Sequence, residues 1–573
     1  MISNKVLAEQ FSKFAELLEL KGEIRFKIVA YQRAAQTISN FGEPLELTYE
    51  KEGTEGLQKI NSIGKSISNK IAEYIQKGKI RELEDLKKGF PRAEIEFMEI
   101  PGVGPKTAKN LFLKLKAHNI SDLKKKLKST GHKHFKEKTL QNIFRGIEIM
   151  EGFDKRVLLF EAKDYVDEIV DYLKQDKNLK KIFPVGSFRR WKETVGDIDI
   201  IAVSPNPKLV IGRFVKFPEF IEIISQGVAK STVIHKSGIQ VDLEILPQKS
   251  FGSLLQHFTG SKEHNVHLRT YAQTKGLSVS EHGIKIVGGT NAGKIIYCET
   301  EIEVYKTLGL SYIEPELRED RGEIEASLRQ AKGEKLGLPK GDLHVHSNWS
   351  DGQNSIEEIV KKAIDLDYEY VAIADHTVSL GVAGGLNESE FDKREKEIHK
   401  VQKKYPQIKI FNSCEVNIRP SGSLDLPDKL MQKFDIVTAS VHWSFRQSKD
   451  EMTKRLIEAI KNPFVNIIGH PTGRIINRRE SCQVDGAQIF KECANNNITL
   501  EINAQPDRLD LPDSLVYEAR KIPVKFAVCT DAHSVFQMES MIYGVSVARR
   551  GWCEKKDILN TMDLKQIISK IKK

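Results

Sequence analysis

The segment GSFRRWKETVGDIDI (186–200) places Asp197 and Asp199 two positions apart in a run of strand-forming residues. Side chains alternate between the faces of a strand, so both carboxylates point the same way while the intervening isoleucines point into the core. Carboxylates held this close repel each other unless a cation lies between them, and Mg²⁺ prefers oxygen ligands. Two such ions about 4 Å apart stabilise the entering and leaving oxygens of a phosphoryl transfer. The segment therefore predicts a metal site of this kind.

A third carboxylate is expected from a neighbouring strand. Asp242 in IQVDLEIL is the candidate, and Glu244 lies on the same strand face and competes with it. Upstream, Gly186 and Ser187 come where a strand ends and a helix is predicted to begin, a place that favours phosphate oxygens. The guanidinium of Arg190 is always charged and can donate two hydrogen bonds to the same phosphates.

The last 233 residues, 341–573, contain seven histidines, and six of them come at the carboxyl end of a predicted strand. Only His399, in a charged helix, does not. Mixed imidazole and carboxylate ligands suit zinc, manganese or iron better than magnesium. The set is too large for one tetrahedral ion, so two or three ions are expected, which could activate water and clamp a phosphate ester. The polar residues at these strand ends are His344, His346, Asp351, Asp375, His376, Glu415, His442, His470, Asp531 and His533.

The hydrophobic patterns predict the elements that position these residues. Residues 1–150 show helical periodicity, and 155–250 mix short strand-like runs with helices. Residues 318–342 are charged and punctuated by Gly and Pro, which is typical of a linker. Beyond them, seven strand-like runs alternate with helical ones, which predicts a parallel β/α barrel; an open doubly wound sheet is the alternative.

The N-terminal half carries a duplicated pattern, INSIGKSISNKI (60–71) and IPGVGPKTAKNL (100–111), that indicates two helix-hairpin-helix motifs. Their glycines let backbone N–H groups approach a DNA phosphate without reading bases. Residues 101–150 add twelve Lys or Arg against three Asp or Glu, which also favours a polyanion partner. A structural glycine turn and a solvated lysine-rich helix face are the alternatives. The predicted DNA contacts here are Gly64, Lys65, Gly102, Gly104 and Lys106.

Composition limits the class of protein. A chain of 573 residues is too long for one core, and 40% hydrophobic with 29% charged residues is typical of a globular, multidomain protein. No apolar run approaches membrane-spanning length and the first residues lack a signal pattern, so a cytoplasmic location is expected. The six cysteines form no C-x-x-C pair, which argues against a disulfide framework or a thiolate zinc site.

The spacing from Gly-Ser through Arg-Arg to Gly-Asp-x-Asp resembles the family X DNA polymerases, which include DNA polymerase beta, and FTGSKEHNVHLR (258–269) resembles their thumb motif. The resemblance implies catalytic metals on Asp197, Asp199 and Asp242. It implies that Gly186, Ser187, Arg190 and Gly196 hold a deoxynucleoside triphosphate. It also implies that Phe258, Thr259 and Gly260 line the sugar pocket, with Asn265 at the new base pair and Arg269 at the template strand.

Two departures from the family pattern leave sugar discrimination and primer positioning open. His257 replaces a usual Tyr, and Gln240 replaces a frequent Arg. At the N-terminus, FKIVAYQRAAQTI resembles the family's DNA-end-binding domain, which would place Tyr31 and Arg33 near a gapped 5′ phosphate. The same alignment puts Lys70 at a Schiff-base lysine, which requires a neutral amine; a solvated phosphate-binding lysine is the alternative.

The histidine-rich series resembles the PHP (polymerase and histidinol phosphatase) domain family, with Asp375 outside the usual ligand set and expected to be structural. The order polymerase then PHP resembles the PolX proteins of bacteria and archaea. This implies a gap-filling DNA repair polymerase that acts on gapped or primed DNA and dNTPs, with Mg²⁺ or Mn²⁺ at the polymerase site. It also implies two or three Zn²⁺ or Mn²⁺ ions at the PHP site. These ions would serve a 3′-5′ exonuclease activity and possible 3′-phosphatase or AP-endonuclease activities. A PHP phosphatase with an inactive polymerase half as a DNA tether, and a non-catalytic DNA-end scaffold, are the alternatives.

The predicted fold is multidomain, and a monomer is expected. Helical helix-hairpin-helix domains precede an α+β nucleotidyltransferase palm and thumb and a distorted (β/α)7 PHP barrel. The predicted boundaries are 1–85 for the DNA-end-binding domain, 86–152 for a fingers-like domain, 153–250 for the palm, 251–318 for the thumb, 319–340 for a linker and 341–573 for the PHP domain.

Overall fold

The computed structural model describes residues 4–41, 44–60, 62–100, 103–152, 156–329, 336–380 and 383–571. The chain divides into two compact units. The first contains Met1–Phe153, Gly337–Gly544 and Lys556–Lys573, and the second contains Asp154–Leu336 and Val545–Lys555. No helix in these described ranges is long and apolar enough to span a bilayer.

The N-terminal part of the first unit is helical, as the sequence periodicity predicts. Phe11, Phe14 and Ile71 lie in one buried core, and Phe97, Leu111 and the helices after them form another. The helices are α1 (Asn4–Lys21), α2 (Arg25–Asn40), α3 (Leu45–Gln58), α4 (Lys65–Lys77), α5 (Arg81–Lys88), α6 (Arg92–Met98), α7 (Pro105–Leu115), α8 (Ile120–Thr130) and α9 (Glu137–Gly152).

The second unit begins with a palm-like α+β region. A five-stranded sheet has the order β2-β4-β7-β6-β5, in which β4 and β7 are parallel and the other neighbours antiparallel. Its elements are β1 (Val157–Leu158), α10 (Leu159–Lys174), β2 (Lys181–Pro184), α11 (Gly186–Arg189), β3 (Thr194–Val195), β4 (Asp197–Val203), α12 (Pro207–Phe214), β5 (Phe220–Gln226), β6 (Lys230–His235) and β7 (Gln240–Ile245).

A thumb-like region follows, with helices around a small antiparallel sheet of order β10-β9-β8. Leu268, Tyr305 and Ile324 lie in its buried core. The elements are α13 (Phe251–Thr259), α14 (Lys262–Thr274), β8 (Leu277–Ser280), β9 (Gly283–Ile286), β10 (Ile295–Ile296), α15 (Glu301–Thr307) and α16 (Glu323–Leu328).

The segment expected to be a linker therefore starts inside this core. Its charged residues suggested an exposed linker, but several of them are buried in pairs. Arg318 binds Glu301 at 2.6 Å, and the Glu323 carboxylate lies 2.6 Å from His264 Nδ1. The other predicted domain boundaries stay predictions.

The C-terminal part of the first unit is a seven-stranded parallel sheet whose strands follow in chain order. A bridge between Val345 and Ala532 joins the first strand to the residues just after the last one, so the sheet nearly closes. This confirms the predicted barrel over the doubly wound alternative. The strands are β11 (Gly341–Val345), β12 (Tyr370–Ile373), β13 (Lys409–Asn417), β14 (Ile436–Ser440), β15 (Ile467–Ile468), β16 (Thr499–Asn503) and β17 (Lys525–Cys529).

Helices follow most of these strands, as expected of parallel β/α units. Residues Leu343, Phe411 and Ala527 belong to the buried core of the barrel. The helices are α17 (Ile356–Asp365), α18 (Glu388–Lys404), α19 (Asp428–Met431), α20 (Lys449–Ile460), α21 (Gly486–Asn496), α22 (Asp513–Ala519), α23 (Met541–Arg550) and α24 (Leu564–Ile571).

Candidate active sites

Asp197, Asp199 and Asp242 lie close together on neighbouring strands of the palm sheet. Asp199 on β4 is the direct register partner of Asp242 on β7, and Asp197 lies two residues earlier on the same face of β4. Ligand oxygens of all three lie within 4.8 Å of one another. The competing carboxylate, Glu244, instead pairs with Lys230 at 3.1 Å.

The electrostatics of this trio fit a divalent cation. Burial, and after it repulsion from Asp197 and Asp242, raises the pKa of Asp199 to about 7. The cluster therefore carries unbalanced negative charge, which is the condition that an oxygen-liganded cation relieves. Gln240 Nε2 donates to Asp242 Oδ2 at 2.7 Å, and the Thr232 hydroxyl donates to Asp242 Oδ1, so both carboxylate oxygens are oriented.

The Gly-Ser turn lies directly against this trio. Gly186 has a φ of +63°, and a Cβ there would lie 2.4 Å from Asp199 Oδ2, so a side chain is excluded. The predicted helix after it is a single turn, α11. The Ser187 hydroxyl is buried and has no hydrogen-bond partner among the described residues. An orphaned buried hydroxyl beside the carboxylates suits a phosphate oxygen.

Arg190 is held on two edges of its guanidinium. Nε donates to Glu319 at 3.0 Å, and Nη1 donates to the carbonyl of Thr259 at 2.6 Å. Gly260 leaves room for this contact, since a Cβ there would lie 3.0 Å from Arg190 Nη1. Gly196 is likewise crowded, because a Cβ there would lie 2.7 Å from Arg156 Nη1.

The other residues implied by the thumb motif occupy α13 and α14. Phe258 is half-buried, Thr259 is buried, and Arg269 is exposed. Asn265 is engaged within the protein, because Gln256 donates to its oxygen at 2.8 Å and its own amide donates to the His257 carbonyl at 2.7 Å. A base-pair contact by Asn265 would require these bonds to change.

The nine predicted ligands of the PHP site converge at the carboxyl ends of the barrel strands. Three groups have ligand atoms within 4.8 Å of one another: His346, Asp351, His376 and His533; His344, His346 and Asp531; and His376, Glu415 and His442. His470 Nε2 joins them, 3.0 Å from Glu415 Oε1. Two histidines are shared between groups, which is the arrangement expected of adjacent ions.

Unpartnered atoms in this cluster support metal binding. His346 Nδ1 is buried without a hydrogen-bond partner among the described residues, and His376 Nδ1 and Glu415 Oε2 are buried 2.9 Å apart without the geometry of a hydrogen bond. Burial, with help from His533 and His376, lowers the pKa of His346 to about 4, and burial lowers the pKa of His442 to about 4. Neutral imidazoles such as these are the state that coordinates a metal ion. Burial alone would lower the pKa of His344, His376 and His533, but the neighbouring carboxylates raise it.

A ring of polar residues holds the ligands, and sequence reasoning missed most of it. Glu501 Oε1 lies 2.7 Å from His344 Nδ1, and its other oxygen accepts from the His470 backbone N–H at 2.5 Å. Asn417 Oδ1 lies 2.6 Å from His442 Nδ1. The only signal for Glu501 was a charged residue inside the otherwise core-like run TLEIN. Such partners fix the imidazole orientation.

Asp375 has the structural role expected of it. Its carboxylate accepts from Arg394 Nη1 at 2.9 Å and from the backbone and side chain of Ser347, both at 2.8 Å. Asp351 has a partner that the sequence did not indicate: Gln36 of α2 donates to its Oδ2 at 2.9 Å. A residue of the N-terminal helices thus reaches a predicted metal ligand.

Both predicted hairpins end in open turns at helix N-termini. Gly64 precedes α4 and Gly104 precedes α7, and a Cβ at either would meet nothing within 4 Å. Lys65 and Lys106 are exposed. This leaves room for a phosphate at each turn. Gly102 lies outside the described residues.

Similarity to known proteins agrees with this division of the chain. Residues 2–80 match the model of a helix-hairpin-helix domain, 254–319 that of the DNA polymerase beta thumb, and 342–505 that of the PHP domain. The chain is 34% identical over 564 residues to the DNA polymerase/3'-5' exonuclease PolX of Bacillus subtilis (strain 168), covering 98% of this chain and 97% of that protein. The chain belongs to the PolX family.

Two further relatives match smaller shares of this PolX family chain. DNA polymerase lambda of Rattus norvegicus is 25% identical over 342 residues, which is 55% of this chain and 56% of that protein. A probable phosphatase of Thermoanaerobacter sp. (strain X514) is 27% identical over 225 residues, 38% of this chain and 89% of that protein.

Lys70, the predicted Schiff-base lysine of this PolX family member, is paired. Its Nζ lies 2.8 Å from Glu82 and 3.0 Å from the Ser66 hydroxyl. Burial alone would lower the pKa of the Lys70 amine, but Glu82 and Tyr31 raise it above its ordinary value. The Tyr31 ring is buried and stacks on Phe14 at 4.4 Å, and Arg33 is half-buried. The lyase role stays a prediction.

Proposed function

We propose that this chain is a DNA polymerase that fills short gaps in DNA repair and carries a PHP domain acting as a 3′-5′ exonuclease. The observation that carries the proposal is that each predicted ligand set converges in space. Three carboxylates meet on β4 and β7, and nine side chains meet at the mouth of the barrel. A polymerase half kept only as a DNA tether would have no need of the first set.

In the polymerase half, the reaction is in-line attack of a primer 3′ hydroxyl on the α-phosphorus of a dNTP, with pyrophosphate leaving. Divalent ions bound there, which we propose to be Mg²⁺ or Mn²⁺, would stabilise the entering and leaving oxygens. Asp197, Asp199 and Asp242 hold them, and Gln240 and Thr232 orient Asp242. The buried Ser187 hydroxyl and the Arg190 guanidinium bind the triphosphate oxygens.

The remaining polymerase contacts are assigned by the same proposal. Gly186 and Gly196 let the backbone approach the triphosphate, Phe258, Thr259 and Gly260 line the sugar pocket, and Asn265 and Arg269 contact the base pair and template. DNA ends are held by the residues of the N-terminal helices, namely Tyr31, Arg33, Gly64, Lys65, Gly102, Gly104 and Lys106.

In the PHP half, the nine side chains would hold two or three Zn²⁺ or Mn²⁺ ions, which would supply an activated water and a clamp for the scissile phosphodiester. Glu415 is central to the ligand set, since its two oxygens lie near His470, His442, His344, His346 and His376. Removal of 3′ phosphates and cleavage at abasic sites are additional reactions that the same centre could serve. A cytoplasmic, monomeric enzyme stays a prediction, and light scattering tests the oligomeric state.

One incubation tests the proposal. A labelled primer on one-nucleotide-gapped and on 3′-mismatched DNA is incubated with and without dNTPs in Mg²⁺, Mn²⁺ or Zn²⁺. We expect extension by one nucleotide only when dNTP and metal are both present, and shortening of the mismatched primer without dNTP. Shortening without any extension would favour the phosphatase with a DNA tether, and DNA binding without turnover would favour a scaffold.

A further inference from the structure

Glu319, in the segment that the sequence assigns to a linker, joins two arginines in the second unit. Its Oε1 accepts from Arg190 Nε at 3.0 Å and from Arg550 Nη1 at 3.0 Å. Arg550 Nη1 also donates to the backbone carbonyl of Arg190 at 2.6 Å. The side chains are well shielded, with 12% of Glu319 and 3% of Arg550 exposed. Arg550 is thus bonded both to the partner of Arg190 and to Arg190 itself.

Arg190, Glu319 and Arg550 form a triad whose net charge affects how strongly Arg190 attracts a triphosphate. A lone buried carboxylate beside Arg190 would cancel the positive charge that attracts a triphosphate. Arg550 supplies a second buried cation, and the more exposed Lys192 Nζ lies 3.6 Å from the other Glu319 oxygen, so the group keeps a net positive charge. Burial alone would raise the pKa of Glu319, yet that pKa is lowered, and Arg550 is the largest of the opposing causes. The carboxylate therefore stays ionised, with Arg550, Arg190 and Lys192 all contributing.

The geometry leaves one part of Arg190 available. Nε is held by Glu319 and Nη1 by the Thr259 carbonyl, whereas Nη2 has no hydrogen-bond partner among the described residues. A guanidinium fixed on two edges loses little side-chain freedom when its third nitrogen binds a phosphate oxygen. The triad therefore presents Arg190 in one orientation.

We infer that Arg550 is a positioning residue for the incoming nucleotide, acting through Glu319 and the Arg190 backbone. This rests on the proposed function, since it takes Arg190 as a triphosphate ligand. Arg550 ends α23, beyond the last barrel strand, in the segment 545–555 that belongs to the polymerase unit. A residue from the C-terminal part of the chain thus contributes to the proposed nucleotide site of the polymerase unit.

The test is single-nucleotide insertion on one-nucleotide-gapped DNA, with KM for the dNTP and kcat measured separately on the full chain. We expect Arg550→Gln to raise KM about tenfold while kcat changes less than about twofold, because a charged contact to the triphosphate ligand is lost. Arg550→Lys restores the charge and should recover part of the lost affinity.

Arg549→Gln is the matched control. Arg549 is the neighbouring residue of α23, and its bonds go to the Leu336 carbonyl at 2.7 Å and to Glu316 at 3.5 Å instead of to Glu319. Its loss removes the same charge from the same turn, and KM should stay within about twofold of the wild-type value.

A double variant separates action through Glu319 from simple packing. Because Arg550 acts through Glu319, Arg550→Gln/Glu319→Gln should have a KM no higher than that of Glu319→Gln alone, whereas an independent packing effect would add to it. This variant and Arg550→Lys also carry the test if Arg550→Gln does not fold. An unchanged KM in Arg550→Gln, an equal rise in Arg549→Gln, or a KM in the double variant above that of Glu319→Gln would overturn the inference. Failure of the wild-type chain to insert a nucleotide would instead overturn the proposed function.

Discussion

Single residues beside the metal ligands decide how firmly those ligands are held, and Glu501 is the clearest case. It is fully buried and bonds to both His344 and His470. We expect Glu501→Gln to lower metal affinity or phosphoesterase activity by about 10- to 100-fold, because His344 loses the carboxylate that orients its ring. Titration with Mn²⁺ and an exonuclease assay measure this. Glu518→Gln, on the exposed face of α22, should leave both unchanged, and equal losses in the two variants would contradict the role.

At Lys70, the ion pair with Glu82 controls whether the amine can act as a nucleophile. A raised pKa keeps the amine protonated at neutral pH, and Schiff-base formation needs it neutral. Borohydride trapping on DNA with a 5′ abasic sugar should therefore be weak at pH 7 and increase with pH. Glu82→Gln removes one cause of the raised pKa and should increase trapping at pH 7. Trapping that survives Lys70→Ala undiminished would assign the chemistry to another residue.

Sequence could predict residues whose role depends on local spacing. The alternation of DIDI put Asp197 and Asp199 on one face, and strand ends marked the histidines of the barrel. It could not predict Gln36 beside Asp351, or Arg550 beside Glu319, since these partners lie 315 and 231 residues apart in the chain. It favoured Asp242 but did not exclude Glu244, and the structure brings Asp242 beside Asp199 and pairs Glu244 with Lys230.

At the scale of elements, α11, α15 and the end of the thumb are joined by a buried ion network around Glu301. Arg189 bonds to both oxygens of Glu301 at 2.8 and 2.6 Å, and Arg318 bonds at 2.6 Å. Burial would raise the pKa of Glu301, but Arg318 and Arg189 lower it to about 2. The network therefore fixes the thumb helix α15 to the turn that carries the triphosphate ligands.

This network predicts a pH-dependent stability. A carboxylate whose pKa is lowered on folding stabilises the folded state above its unfolded pKa of about 4.5, and that stabilisation is lost as pH falls toward 2. Glu301→Gln should thus destabilise the region by about 3 kcal/mol at pH 7 and by progressively less below pH 4.5. Hydrogen exchange of α15 in variant and wild type measures this. A difference that does not shrink in acid would contradict the ionic origin.

For the whole molecule, we propose that two separate ligand sets in one PolX family chain serve two reactions. The sequence predicted this division because each set uses a different chemistry, carboxylates alone in the palm and imidazoles with carboxylates in the barrel. The bounds of the domains were less predictable. Residues 319–328 have the composition of a linker but pack in the thumb, because their charges are neutralised by partners distant in sequence.

The most direct test compares two disabling variants and two matched controls on the same gapped and mismatched DNA. Asp242→Asn is paired with Glu244→Gln from the same strand face, and His376→Ala with His399→Ala from the exposed face of α18. We predict that Asp242→Asn loses nucleotide insertion by on the order of 10²-fold or more but keeps primer shortening, that His376→Ala does the reverse, and that both controls keep both activities. Loss of both activities in folded Asp242→Asn, or insertion that persists in it, would contradict this division of the two reactions.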